Sequence, residues 1–129
     1  MKRLAIIFFA IMVLLSGCAQ PTGSSAASYK QITQEEAKEM MTKNDGHIVV
    51  DVRRQDEYDE GHIPGAVLIP NESITDKQPE ALPDLNQTIL VYCRSGRRSK
   101  EASQKLADMG YTHVYEFGGI NTWTGEVVK

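Results

Sequence analysis

Thr88-Ile89-Leu90-Val91-Tyr92-Cys93-Arg94-Ser95-Gly96-Arg97-Arg98-Ser99 is the stretch that decides how the rest of the chain folds. Thr88 to Tyr92 is the near-continuous apolar run expected of a strand covered on both faces. Behind it, Ser99 to Met109 has helical spacing, with Ala102, Leu106 and Met109 on one side and Gly110 in the stop position. A strand that runs directly into a helix turns successive backbone N–H groups inward and forms a nest for an anion. Gly96 permits backbone conformations that a side chain obstructs, and the helix start adds roughly half a positive charge. A sulfur at the base of that cradle is stabilised as thiolate and needs no histidine base.

Outward from this segment, apolar patterns alternate in type. Tyr29 to Ile32 reads as a short strand, and Thr33-Gln34-Glu35-Glu36 has the spacing of a capping box. Ala37, Met40 and Met41 continue it into a helix over 33–43, ended by Asn44-Asp45-Gly46. Ile48 to Val52 is a second buried-strand pattern, and Gln55 to Glu60 a short helix stopped by Gly61. Ala66 to Ile69 is a further apolar run. The polar stretch 70–87, with Pro79 and Pro83, has room for one helical turn. His113 to Phe117 closes the set as a strand. This alternation predicts an open α/β sheet, mostly parallel, in which ligands bind beyond the carboxyl ends of the strands. Two strand ends qualify, one at Asp51 and Arg53 and the other at Cys93, and both face the same edge.

With 129 residues, 41% hydrophobic and 24% charged, the chain has the size of one domain. That composition excludes collagen-like, disulfide-dense and globally disordered chains. A net charge of −3 supplies no nucleic-acid footprint. Against this acidity, Arg94, Arg97, Arg98 and Lys100 gather within seven positions. Cations at a helix start oppose its dipole, and a local rule broken without structural gain points to function. An anionic substrate resolves the conflict; a merely solvated helix face is the alternative, as an inert core thiol is for Cys93. No combination of His, Cys and carboxylates has metal-ligand spacing. His62 reads as a turn residue, His47 and His113 as peripheral, and Trp123 as a lid or core aromatic.

The first residues form a separate unit. Met1-Lys2-Arg3 precedes twelve uninterrupted apolar residues, Leu4 to Leu15. That is too short for the roughly 20 of a spanning helix and within the roughly 7–15 of a signal-peptide core. Leu15-Ser16-Gly17-Cys18 resembles a bacterial lipobox, which implies lipidation and cleavage at Cys18. The expected division is a cleaved signal peptide over 1–17, a lipidated tether over 18–28 and a domain over 29–129. Cleavage leaves 112 residues at a charge of −5, since Lys2 and Arg3 are lost. The domain is then held on the extracytoplasmic side of a bacterial membrane by acyl chains on Cys18, leaving Cys93 as the lone thiol.

Four motifs in order resemble the rhodanese-like sulfurtransferases over roughly residues 29–128. They are Asp51-Val52-Arg53; Glu57 to Ala66, which reads Glu-Tyr-Asp-Glu-Gly-His-Ile-Pro-Gly-Ala; Cys93-Arg94-Ser95-Gly96-Arg97-Arg98; and Gly118-Gly119 with Trp123. The resemblance implies a five-stranded sheet flanked by helices on both faces, and sulfane-sulfur transfer through a Cys93 persulfide without a cofactor. It implies catalytic roles for Cys93 and Arg98, and donor binding by Arg94, Ser95, Gly96 and Arg97. Asp51 and Arg53 support the loops. The partners are a small anionic donor such as thiosulfate and a thiol or cyanide acceptor. Phosphatases and arsenate reductases of the same fold have a longer loop that ends in arginine six residues after the cysteine. Here that residue is Ser99, and the shorter cradle suits a single sulfur better than a tetrahedral oxyanion. A membrane-tethered binding or thiol-sensing module is the non-catalytic alternative.

Overall fold

The structure, a computed structural model, describes residues 28–129. The expected signal peptide, Cys18 and all but the last residue of the tether lie outside the described residues. Five strands order as β1-β5-β4-β2-β3 (β1 Lys30–Gln31, β2 Ile48–Asp51, β3 Val67–Leu68, β4 Thr88–Cys93, β5 His113–Gly119). Every pairing between them is parallel, so the mostly parallel sheet expected from the alternation is parallel throughout.

β4 lies at the centre between β2 and β5, and its residues beyond Thr88 are buried. Its alternate side chains divide the core. Ile89, Val91 and Cys93 face one layer with Ala102 and Leu106 of α3 (Arg97–Asp108). Leu90 and Tyr92 face the other with Ala37 of α1 (Gln34–Met41), Ile63 and Phe117. Helices therefore cover both faces, and α2 (Gln55–Glu60) adds Tyr58 to the second layer. Leu106 is fully buried, which is worth about 2 kcal/mol.

Of the capping box expected at α1, the structure shows the Thr33 half, with the Glu36 amide donating to Thr33 Oγ1 at 3.1 Å. The stretch 70–87 holds a single 3-10 turn, Asn71–Ser73, but it also sends Ile74 and Leu82 into the core beneath α3. Lys105 of α3 fastens the turn by donating to the Asn71 carbonyl and to Asn71 Oδ1.

Several element ends shift by a residue or two from the sequence pattern, and two of the differences concern the site. The helix expected from Ser99 begins at Arg97, because Gly96 at φ +108° turns the chain sharply enough to start it early. β5 continues past Phe117 to Gly119. There the β4–β5 register shifts: Val91 pairs with Glu116, but Cys93 pairs with Gly119. This bulge at the strand end brings the glycine pair against the loop that follows β4.

Candidate active site

β4 ends with Cys93, 1% exposed, at the base of the loop 94–96. The Gly96 amide donates to Cys93 Sγ at 2.9 Å. The Ser99 hydroxyl, on the first turn of α3, lies 3.3 Å from the same sulfur. Amides at the start of α3 have no partner within the helix, and their open ends and dipole favour negative charge at the sulfur. The loop is pinned from behind. Arg94 accepts through its carbonyl from the Asn121 amide at 3.1 Å. A side chain on Gly119 would overlap that same carbonyl, so the close approach of β5 to the loop requires glycine there.

The four loop cations are not equivalent. Arg98 turns its fork onto Glu57 of α2, with contacts of 2.6 and 2.9 Å. That pair holds the Glu57 carboxyl at about 2, against burial, and raises the Arg98 pKa despite partial burial. Arg98, expected to act on the donor, is thus placed as a clamp between α3 and α2. Arg97 is exposed and makes one loose pair with Glu101 at 3.4 Å. Arg94 is exposed and borders a groove of 340 Å3 with Arg53, Glu57, Glu60, Ile120 and Asn121. Ser95, Gly96 and Lys100 border a second cavity, on the β1–β5 side of the loop.

At the end of β2, Asp51 and Arg53 form a closed bolt. Arg53 Nε and Nη2 donate to the Asp51 carboxylate at 2.7–3.1 Å, and Nη2 also donates to the Gly61 carbonyl at 2.7 Å. Burial opposes the Arg53 charge, yet Asp51 holds its pKa above the ordinary value. Tyr92 donates to Asp51 Oδ2 at 2.7 Å and accepts from the Ile63 amide, and burial followed by that carboxylate raises its phenol. This bolt ties the end of β2 to Gly61 at the carboxyl end of α2, the helix that carries Glu57. His62, read from the sequence as a turn residue, instead forms an antiparallel bridge with Val128, stacks on Tyr58 and bonds the Tyr58 carbonyl. Trp123 is half-buried and packs on Phe117 at the margin of the second core layer. Among the described residues no cluster of His, Cys, Asp or Glu is arranged to hold a metal ion.

The family model for the rhodanese-like domain matches residues 33–126. The chain belongs to the rhodanese-like family. It is 42% identical over 71 residues to thiosulfate sulfurtransferase PspE of Escherichia coli, covering 55% of this chain and 68% of that one. Thiosulfate sulfurtransferase GlpE of Coxiella burnetii is 38% identical over 96 residues, 74% of this chain and 87% of the relative. Among solved structures, a rhodanese with anions from Escherichia coli superposes with a TM-score of 0.60 at 38% identity, covering 65% of this chain and 99% of that one. The protein is accordingly a transferase of rhodanese type.

Three residues of this rhodanese-like site are not evident as site residues in the sequence: Glu57, Ser99 and Glu116. Glu57 is visible there as part of a motif but not as the partner of Arg98. Glu116 is 2% exposed and bonds Ser99 Oγ at 2.6 Å. Its signal is present, because an acid in the middle of a strand covered on both faces breaks the apolar pattern.

Proposed function

We propose that this protein carries a sulfane sulfur on Cys93, taking it from thiosulfate or a similar anionic donor and passing it to a thiol or cyanide. The supporting observation is the Cys93 sulfur itself, seated at a parallel-strand end and a helix start, with the Gly96 amide donating to it at 2.9 Å. The thiolate attacks the outer sulfur of the donor. The donor's S–S bond breaks, sulfite leaves with the electron pair, and Cys93 becomes a persulfide. Loop amides and the helix dipole stabilise the persulfide anion. An acceptor nucleophile then attacks the terminal sulfur, and Sγ departs as thiolate, completing a covalent ping-pong cycle. Arg94 and Arg97, both exposed at the loop, attract the donor, with Ser95 and Gly96 lining its path. The short loop supports this reading over phosphate-ester chemistry, since Ser99 stands where longer loops carry arginine.

Intact mass after incubation with thiosulfate tests it. One sulfur, about 32 Da, adds to the protein, vanishes on cyanide addition and is absent in Cys93→Ser. No gain in folded protein assigns the domain instead to thiol sensing or binding. The apolar run 4–15 and Leu15-Ser16-Gly17-Cys18 support export and lipid anchoring at Cys18. Metabolic labelling with a fatty acid in a bacterial host checks this, with label lost in Cys18→Ser.

A further inference from the structure

Two carboxylates are buried in the sheet, Asp51 at the end of β2 and Glu116 within β5, and they are treated differently. Asp51 is neutralised by Arg53. Glu116 has no cation bonded to it among the described residues. Its Oε1 accepts from the Gly118 amide at 2.8 Å and lies 2.6 Å from Ser99 Oγ, while Oε2 meets the Gln31 amide at 3.4 Å. Ser99 is fully buried and touches both Glu116 Oε1 and Cys93 Sγ, so the three groups form a continuous file of 2.6 and 3.3 Å contacts.

We infer that this file is a proton relay in which Glu116 takes the proton of Cys93 through Ser99. In one arrangement the thiol donates to Ser99 Oγ and the serine hydroxyl donates to the Glu116 carboxylate. In the other, each proton has moved one place along the file. Sγ is then a thiolate accepting from Ser99, and Oε1 carries a proton that it donates to Ser99. One proton leaves sulfur, one arrives on the carboxyl, and the serine is unchanged. The Gly96 carbonyl, 2.9 Å from Ser99 Oγ, competes for the hydroxyl, but the carboxylate is nearer and charged.

Ser99 touches the reacting sulfur, and Glu116 is a positioning residue that acts through it. The groups meeting Glu116 are Gln31 from β1, Ser99 from α3 and Gly118 from its own strand, with Val91 beside it on β4 and Lys100 of α3 on the same cavity. Facing Cys93 are the Gly96 amide, Ser99 and, at longer range, Arg98. Glu116 and Lys100 also border one cavity of 470 Å3.

The relay rests on Cys93 being the nucleophile, but it predicts a signature that needs no sulfur donor. The two arrangements contain the same number of protons, so their ratio does not change with pH while the pair shares one proton. The experiment is iodoacetamide alkylation of the reduced full chain, scored on the Cys93 peptide by mass across about pH 5 to 8. An isolated thiol loses about tenfold in rate per pH unit on the acid side. The wild-type rate instead levels to a shelf. Glu116→Gln and Ser99→Ala each lose the shelf, fall at the isolated-thiol slope and lie at least about tenfold below wild type near pH 5. A wild-type profile without a shelf overturns the relay, as does a shelf that survives either substitution. Faster alkylation of Glu116→Gln at low pH also overturns it, because removing a nearby negative charge alone has that effect. Should Glu116→Gln fail to fold, the Ser99→Ala profile decides between the same two outcomes. Absence of persulfide after thiosulfate treatment rejects sulfur carriage while leaving the shelf to be measured.

Discussion

The loops after β2 and β4 leave the same edge of one sheet and each leads into a helix, yet their chemistry is opposite. After β2, every strong group is closed on another: Asp51 accepts from the Arg53 backbone, the Arg53 fork and Tyr92. After β4, the sulfur meets one amide and one serine, and two of the nearby arginines point outward. A saturated buried ion pair serves rigidity, whereas under the proposed function the less saturated thiol serves reaction. A charge at a strand mouth is therefore no sign of catalysis until its partners are known.

The sharpest way to break this contrast is to exchange the losses. Cys93→Ser removes sulfur loading entirely while leaving urea stability near wild type, because one small buried group replaces another. Asp51→Asn strands the Arg53 guanidinium, 6% exposed, without its counter-charge. It costs about 3 kcal/mol or more in urea unfolding, while the protein that remains folded still loads sulfur. Asp51→Asn protein that is stable but cannot load would put the first loop in the chemistry and end the distinction.

Between the loops stands the Glu57–Arg98 clamp, whose contribution depends on pH with a definite sign. Glu57 titrates at about 2 when folded, against an ordinary value of 4.5. Its contribution is therefore complete above about pH 4.5 and is lost as pH falls towards 2, where the carboxyl protonates in the folded state as well. The loss amounts to about 2 kcal/mol. Unfolding midpoints across that window check it: the acid-side decline is shallower in Glu57→Gln, which starts from a lower plateau at neutral pH. Parallel curves would mean that the clamp contributes nothing to folding.

The unequal legibility of the two loops has a physical origin. Thr88 to Cys93 declares itself because a strand covered on both faces must be apolar throughout, and the turn into α3 because only glycine suits position 96. Those are local rules. The helix start at Arg97 is hidden because two arginines resemble loop, and the backbone at Gly96 settles it instead. The pattern ends β5 before its glycines, since glycine usually punctuates a strand; its extension depends on Gly119 lying against the Arg94 carbonyl. The clamp joins residues 41 apart and lies beyond any periodicity. Glu116 is legible in principle as an acid on a buried face, but its purpose needs Ser99, which arrives from another element.

The smallest expected effect tests the openness of the second loop. Arg97 is 77% exposed on its side chain and its pairing to Glu101 is long, so that pair adds little to stability. Arg94 is exposed as well. If these two cations attract the donor, replacing both with alanine raises the KM for thiosulfate about three- to tenfold at low salt. The penalty shrinks towards nothing near 1 M salt, where the Debye length is about 3 Å. kcat stays unchanged, because neither guanidinium has been placed on the reacting sulfur. Arg98 provides the internal contrast: closed on Glu57, its replacement alters stability before it alters salt dependence. An unchanged KM at low salt in the Arg94/Arg97 double variant would reduce the cluster to a solvated helix face. The anion selectivity of the site would then rest on the backbone cradle and helix dipole alone.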